Sequence, residues 1–320
     1  MESSKRTTIV HLRGRLGNQL FQLATGIEIS IAKRNNLVVE ISEIENGQDY
    51  LRASKIFPIP TTIKSFVYFP YTINRCLNFL LRTKLNRNTN KAITVIQWIV
   101  NKLCRILIFI NVGKKIKIET PDNLGQFKST DLKKMNMLLN GYFQSDPDKE
   151  VVKNIANLVT SMAVEECVIR NDNVSKIKLH RKNSICLHVR RGDYLVNKQF
   201  GILTTSYFYK AINAIDKIIK LDKIFLYSDD PIDAIKMIPK EFRPMIIKRR
   251  NCSHGAICDL KEMTEHSNFV ISNSSYSWWA AKLSSNDSPN VIAPVPWFKE
   301  LESPYGIYPK NWLLIESIWD

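Results

Sequence analysis

The chain has 320 residues, 44% hydrophobic and 24% charged, with a net charge of +16. That is room for two modest globular domains, and the balance excludes a disordered or fibrous chain. Six cysteines (Cys76, Cys104, Cys167, Cys186, Cys252 and Cys258) fall at no paired spacing, which argues against a disulfide framework and for reduced thiols in the cytoplasm. The start, "MESSKRTTIV", passes from polar residues straight into an apolar run with no leader pattern.

Elements in chain order begin with a β-α-β unit. "TTIVHL" (7–12) reads as a strand and "RGRLG" (13–17) as a loop. A helix follows, with Leu20, Leu23, Ala24, Ile27 and Ile31 at helical spacing, and then the strand "LVVEI" (37–41). Residues 50–118 are read as a helical insertion. From Tyr50 to Ile118 there are thirteen Lys or Arg and no Asp or Glu, so this stretch carries +13 of the +16. An anionic membrane surface, nucleic acid or plain solvation of a basic face would each account for it. The apolar run 92–112 is interrupted by Gln97, Asn101, Lys102 and Arg105, which makes it a poor transmembrane span. The densest aromatic group nearby (Phe66, Tyr68, Phe69, Tyr71) has no Lys or Arg among it. Nucleic-acid binding calls for those residue types to interleave, so that partner is disfavoured.

Beyond Asp146 strands and helices alternate. The strands are "ICLHV" (185–189), "KIFLYS" (223–228), "MIIKR" (245–249), "NFVIS" (268–272) and "NVIAPV" (290–295). The intervening helices are 205–220, 230–238, 256–267 and 275–285, the second opened by Asp230 as N-cap with Pro231 in its first turn. This alternation predicts α/β architecture with a parallel, doubly wound sheet. Ligands of such sheets bind beyond the carboxyl ends of the strands. Those positions hold Arg190, Arg191 and Asp193, then Asp229 and Asp230, then Asn273, Ser274 and Ser275 at a helix start.

Two adjacent arginines after a buried strand call for an anion, and a helix start with free N–H groups is a natural cradle for one. Asp229 or Asp230 would accept from a guanine edge or a ribose hydroxyl. Neither G-x-x-x-x-G-K-[ST] nor G-x-G-x-x-G is present, which removes the usual support for an NTPase or a dinucleotide enzyme. "DPD" (146–148) matches a metal-binding D-x-D, but is read as a linker turn. Cys252, His254, Cys258 and His266 lack the paired spacing of a zinc site, and Trp278 and Trp279 are read as core.

Five blocks carry a family resemblance: "GRLGNQLFQLATG" (14–26), "GYFQS" (141–145), "HVRRGDY" (188–194), "YSDDP" (227–231) and "SNSSYSWWAA" (272–281). In this order they resemble the glycosyltransferase family 11 α-1,2-fucosyltransferases. The resemblance implies a GT-B fold, two Rossmann-like domains with a cleft between them, here 1–150 on the acceptor side and 151–320 on the donor side. It implies GDP-L-fucose as a co-substrate rather than a cofactor, and inverting transfer of L-fucose to the 2-hydroxyl of a galactose in an oligosaccharide or lipid-linked glycan. Arg190 would bind the donor phosphates and His188 the nucleotide side. Asp229 and Asp230 would lie near the guanosine, with Asn273, Ser274, Ser275 and Tyr276 around the diphosphate beside Arg191. Asn18, Gln19, Phe21 and Gln22 would face the acceptor. No metal is expected. Asp193 is either the general base or a residue that orients the arginines. The alternatives are a fucosyltransferase with a protein acceptor and a non-enzymatic nucleic-acid binder.

Overall fold

The computed structural model describes residues 6–40, 116–119, 136–169, 183–251 and 256–320. Most of the expected basic insertion, including Arg82, Lys84, Arg87 and Lys91, lies outside the described residues, as do Cys252 and His254.

The first half is a four-stranded sheet. Strand β1 (Thr7–His11) leads into helix α1 (Leu16–Lys33) and strand β2 (Asn36–Glu40), and strands β3 (Ile116–Glu119) and β4 (Asn136–Leu139) complete it. Every pairing is parallel, in the order β2-β1-β4-β3. Here β3 corrects the expected helical insertion at its far end. Residues 116–118 are strand, and "IKIE" alternates apolar and charged residues with the period of a strand.

Helix α2 (Lys149–Ile169) follows, where no element was expected. Its apolar positions Val151, Ile155, Leu158, Val159 and Met162 are all buried, and their spacing marks one helical face. The "DPD" turn is the approach to this helix: Val152 N–H donates to the Asp148 carbonyl at 3.0 Å.

The second half is a six-stranded parallel sheet in the order β10-β9-β8-β5-β6-β7. Its strands are β5 (Ser184–Val189), β6 (Lys223–Ser228), β7 (Ile246–Asn251), β8 (Asn268–Val270), β9 (Asn290–Val295) and β10 (Leu313–Glu316). Helices α3 (Thr205–Ile219), α4 (Pro231–Met237), α5 (Ala256–Met263) and α6 (Ser275–Lys282) connect them. Asp230 caps α4 as expected, its carboxylate accepting from Asp233 N–H at 3.2 Å, with Pro231 at the helix start.

Both sheets reverse direction along their order. In the first the chain leaves β1 toward β2 and returns on the other side at β4. In the second it leaves β5 toward β6 and β7, then returns at β8. Loops on the two sides of such a reversal diverge and open a crevice at the carboxyl ends of the strands. One apolar core joins the halves, running from Val10 and Phe21 through Phe269 to Trp312. Phe21 of α1 lies 4.6 Å from Trp278 and 5.0 Å from Trp279 of α6, ring centre to ring centre. Both tryptophans are fully buried, so they pack as expected. The crevices therefore face each other across a fixed interface.

Candidate active site

Between the halves is a cavity of about 470 Å³. It is lined from the first half by Gly14, Arg15, Leu16, Gly17 and Asn18 after β1, and by Tyr142 and Gln144 after β4. The second half contributes His188, Arg190, Asp193, Tyr194 and Phe200, then Asp229, then Ser274, Ser275 and Tyr276, with Ala256, Trp297 and Phe298.

Arg190 and Asp229 are the two largely enclosed charges of the site, with 11% and 12% of their side chains exposed. The Arg190 guanidinium reaches Asp193 at 2.5 Å and Asp229 at 3.2 Å. Burial would lower its pKa, but Asp229 and then Asp193 outweigh that and raise it, so it is a permanent cation. The Tyr194 ring lies 5.4 Å from the guanidinium carbon, and its hydroxyl donates to the Asn273 carbonyl at 2.9 Å. Burial pushes that phenol well above its ordinary range, keeping it a neutral donor. Gly192 permits the cluster, because a Cβ there would sit 2.2 Å from Asp229 Oδ2.

His188 sits behind Arg190, its Nδ1 2.8 Å from the Ser272 hydroxyl. Burial, and then the nearby Arg190 charge, lowers its pKa from 6.5 to about 3. It is neutral at physiological pH. The unfolded chain takes up that proton near pH 6.5 and the folded one does not, so stability contributed by neutral His188 falls as pH drops from 6.5 toward 3. Unfolding free energies from urea titrations at pH 7 and pH 5 should differ by about 2 kcal/mol more in the wild type than in His188→Gln. Equal differences would show that the imidazole is not held neutral.

The two halves meet at the start of α6. Asn18 Oδ1 accepts from Ser275 Oγ at 3.0 Å and from Gln144 Nε2 at 2.9 Å. Ser274 is the N-cap but makes no capping bond with its side chain. N–H groups in the first turn of a helix have no intrahelical acceptor, and the helix dipole adds partial positive charge there. Arg190 and a helix start on one wall make a cavity for an anion.

Not every expected residue reaches the cavity. Arg191 turns the other way, its Nε 3.2 Å from Asp230 and its terminal nitrogen 3.8 Å from Asp233. Asp230 is occupied by that contact and by capping α4. Asn273 is buried below the cavity, its amide donating to the carbonyls of Phe200 at 2.8 Å and Gly201 at 3.2 Å. Of the four acceptor-side residues only Asn18 lines the cavity. Gln19 donates to the Gly14 carbonyl at 2.7 Å, and Gln22 accepts from Arg13 N–H at 2.9 Å. Both tie the 13–15 loop to α1, and Phe21 is core. Arg15, Tyr142, Gln144 and Tyr194 were not singled out from sequence, although all four lie inside the quoted blocks.

Two parallel α/β halves, crevice to crevice, with a buried arginine and a helix start between them, define a GT-B-type glycosyltransferase. The chain belongs to glycosyltransferase family 11, whose family model matches residues 7–316. It is 24% identical to an α-1,2-colitosyltransferase of Escherichia coli over 97% of this chain and 99% of that one. It is 30% identical to a galactoside 2-α-L-fucosyltransferase of Caenorhabditis elegans over 46% of this chain, a match spanning 42% of that enzyme. Among solved structures, NodZ α-1,6-fucosyltransferase soaked with GDP-fucose aligns over 94% of this chain and 100% of its own, at 15% identity and a TM-score of 0.48.

Proposed function

We propose that the protein transfers L-fucose from GDP-L-fucose to the 2-hydroxyl of a galactose in a glycan acceptor, with inversion at the anomeric carbon. The observation that carries this reading is Arg190, a buried cation in the cleft beside the start of α6. In the reaction the bond from the fucose anomeric carbon to the β-phosphate oxygen breaks, and its electron pair leaves with GDP. The acceptor oxygen bonds to that carbon and its proton passes to solvent water, which balances the charge carried away by GDP. Charge grows on the diphosphate as the bond breaks, so a cation fixed in advance lowers the barrier. Asp193 orients Arg190 in this reading. One of its oxygens holds that guanidinium and the other faces Arg15, a poor arrangement for a general base.

The acceptor would lie against the first-half wall, where Asn18, Tyr142 and Gln144 offer neutral hydrogen-bonding groups suited to sugar hydroxyls. Incubation with GDP-fucose and a panel of galactosides, followed by linkage analysis, tests the reading. Fucose on the 2-hydroxyl of galactose is expected; release of free fucose alone, or another linkage, would overturn it. A second reading has one observation behind it, the full-length similarity to a colitosyltransferase. Colitose lacks one hydroxyl of L-fucose, so turnover of the two GDP-sugars compared side by side separates them.

Leaving-group charge carried by arginine and a helix start requires no divalent ion. Transfer should persist in excess EDTA. Asp146, half-buried and paired with Lys282, is not part of the cavity lining, so Asp146→Asn should change the rate by less than about twofold. Loss on chelation with rescue by manganese would contradict this.

Among the described residues no helix is long and apolar enough to cross a membrane. The thirteen basic residues between Tyr50 and Ile118 support peripheral contact with anionic lipid, where each adds on the order of 1 kcal/mol. Such contact would place the enzyme beside a lipid-linked acceptor. Co-sedimentation with anionic but not neutral vesicles, weakened by salt, is the expected result.

A further inference from the structure

We propose that Arg15, in the loop between β1 and α1, is the second guanidinium on the donor's diphosphate, and that it reaches the diphosphate from across the cleft. This rests on the donor reading above. Arg191 is held on the α4 side by Asp230 and Asp233. Arg15 lines the cavity instead, with its Nε 3.7 Å from Asp193 Oδ2, while the other oxygen of that carboxylate holds Arg190. The two arginines thus flank one carboxylate, each on a different oxygen.

The charge balance points the same way. Arg15 and Arg190 face Asp193 and Asp229, and His188 is neutral, so among the described residues the charges lining the cavity sum to zero. Arg190 is already shared between two carboxylates. An incoming diphosphate needs a cation that is not so committed, and Arg15 is the cavity arginine whose pairing is loose and half-exposed, at 51%. Its backbone is not loose. Arg15 occupies the N-cap position of α1, and Gly17, two residues on, abuts the start of α6 so closely that a Cβ there would meet Tyr276 N at 2.5 Å. A fixed stem with a movable head lets Arg15 exchange Asp193 for the diphosphate. Because its stem belongs to the other half, the exchange ties both halves to the leaving group as charge develops on it.

The test is inhibition by GDP and by guanosine, with turnover, in wild type, Arg15→Ala, Arg15→Lys, Asp193→Asn and the pair Arg15→Ala/Asp193→Asn. Arg15→Ala should weaken GDP at least about tenfold, leave guanosine within about twofold and lower kcat about 10- to 100-fold. Arg15→Lys should recover part of the GDP affinity. The loss of GDP affinity from Arg15→Ala should persist when Asp193 is already Asn. If Arg15 serves only to pair with Asp193, its removal from the Asn background will change nothing, and the proposal fails. Unchanged GDP affinity in an Arg15→Ala enzyme that still transfers fucose also overturns the proposal while leaving the activity standing. A wild-type protein that does not bind GDP would overturn both.

Discussion

Arg190→Ala should lower kcat by about 10²- to 10³-fold, the cost of removing one preorganised donor from developing negative charge. The substitution also takes the cation from Asp229 and from the exposed Asp193; Asp229 keeps its hydrogen bond from Arg191 N–H, so the loss of stability should be about 1 to 3 kcal/mol. Arg190→Lys separates the two effects. It keeps the charge, and with it most of the stability, but a single ammonium cannot span two carboxylates and a phosphate as the planar fork does. Its unfolding midpoint should lie near that of the wild type, with activity still down by more than about tenfold. Retention of more than about a tenth of wild-type activity by the alanine variant, an effect under about 1.4 kcal/mol, would remove Arg190 from the chemistry.

Gly17→Ala should be nearly as damaging, for a reason of space rather than charge. A methyl group at this position would lie 2.5 Å from Tyr276 N and 2.6 Å from Ser275 C, both backbone atoms. Backbone cannot swing aside, so α1 and the start of α6 must separate by about 1 Å, a displacement worth about 100-fold in rate where reacting groups are concerned. It would also stretch the bond from Ser275 to Asn18. Gly26→Ala is the control. Its nearest neighbours are the side chains of Leu37 and Val10 at 3.1 Å, remote from the cavity, so it should alter stability while kcat stays within about twofold. Equal kcat in the two variants would show that the contact of α1 with α6 does not position the site.

The second sheet was largely legible in the sequence. Its strands are short apolar runs closed by polar residues, and β6 and β9 span the expected residues. In the first sheet the β1-α1-β2 unit was legible too, but the far side of its reversal was harder. Strand β4 is four residues long, too short for a periodic signal, whereas α2 carries a plain helical period that the preceding "DPD" obscured. Cleft residues followed the same division. Those at the ends of strands, such as Arg190 and Asp229, were found because parallel sheets bind ligands there, and His188 was marked by the family resemblance.

Arg191 shows the limit of that rule. Successive side chains on an extended segment point to opposite sides, so two adjacent arginines seldom share a ligand, and the second here serves α4. In α1 Asn18 stands in the first turn beside the cavity, whereas Gln22, on the same face one turn on, accepts from Arg13 N–H instead, and Gln19 and Phe21 are buried on other sides. Arg15 meets Asp193 only across the interface between halves, and Gln144 meets Asn18 from far along the chain; no local pattern reports such contacts. The family resemblance marked their blocks without showing which side chains in them face the cleft.

The most direct test of the account is a crystal structure with GDP bound. The β-phosphate is expected within hydrogen-bonding distance of Arg190 and at the start of α6, with the guanine further along the second half. A diphosphate bound elsewhere, or one held chiefly by Arg191 on the α4 side, would contradict it.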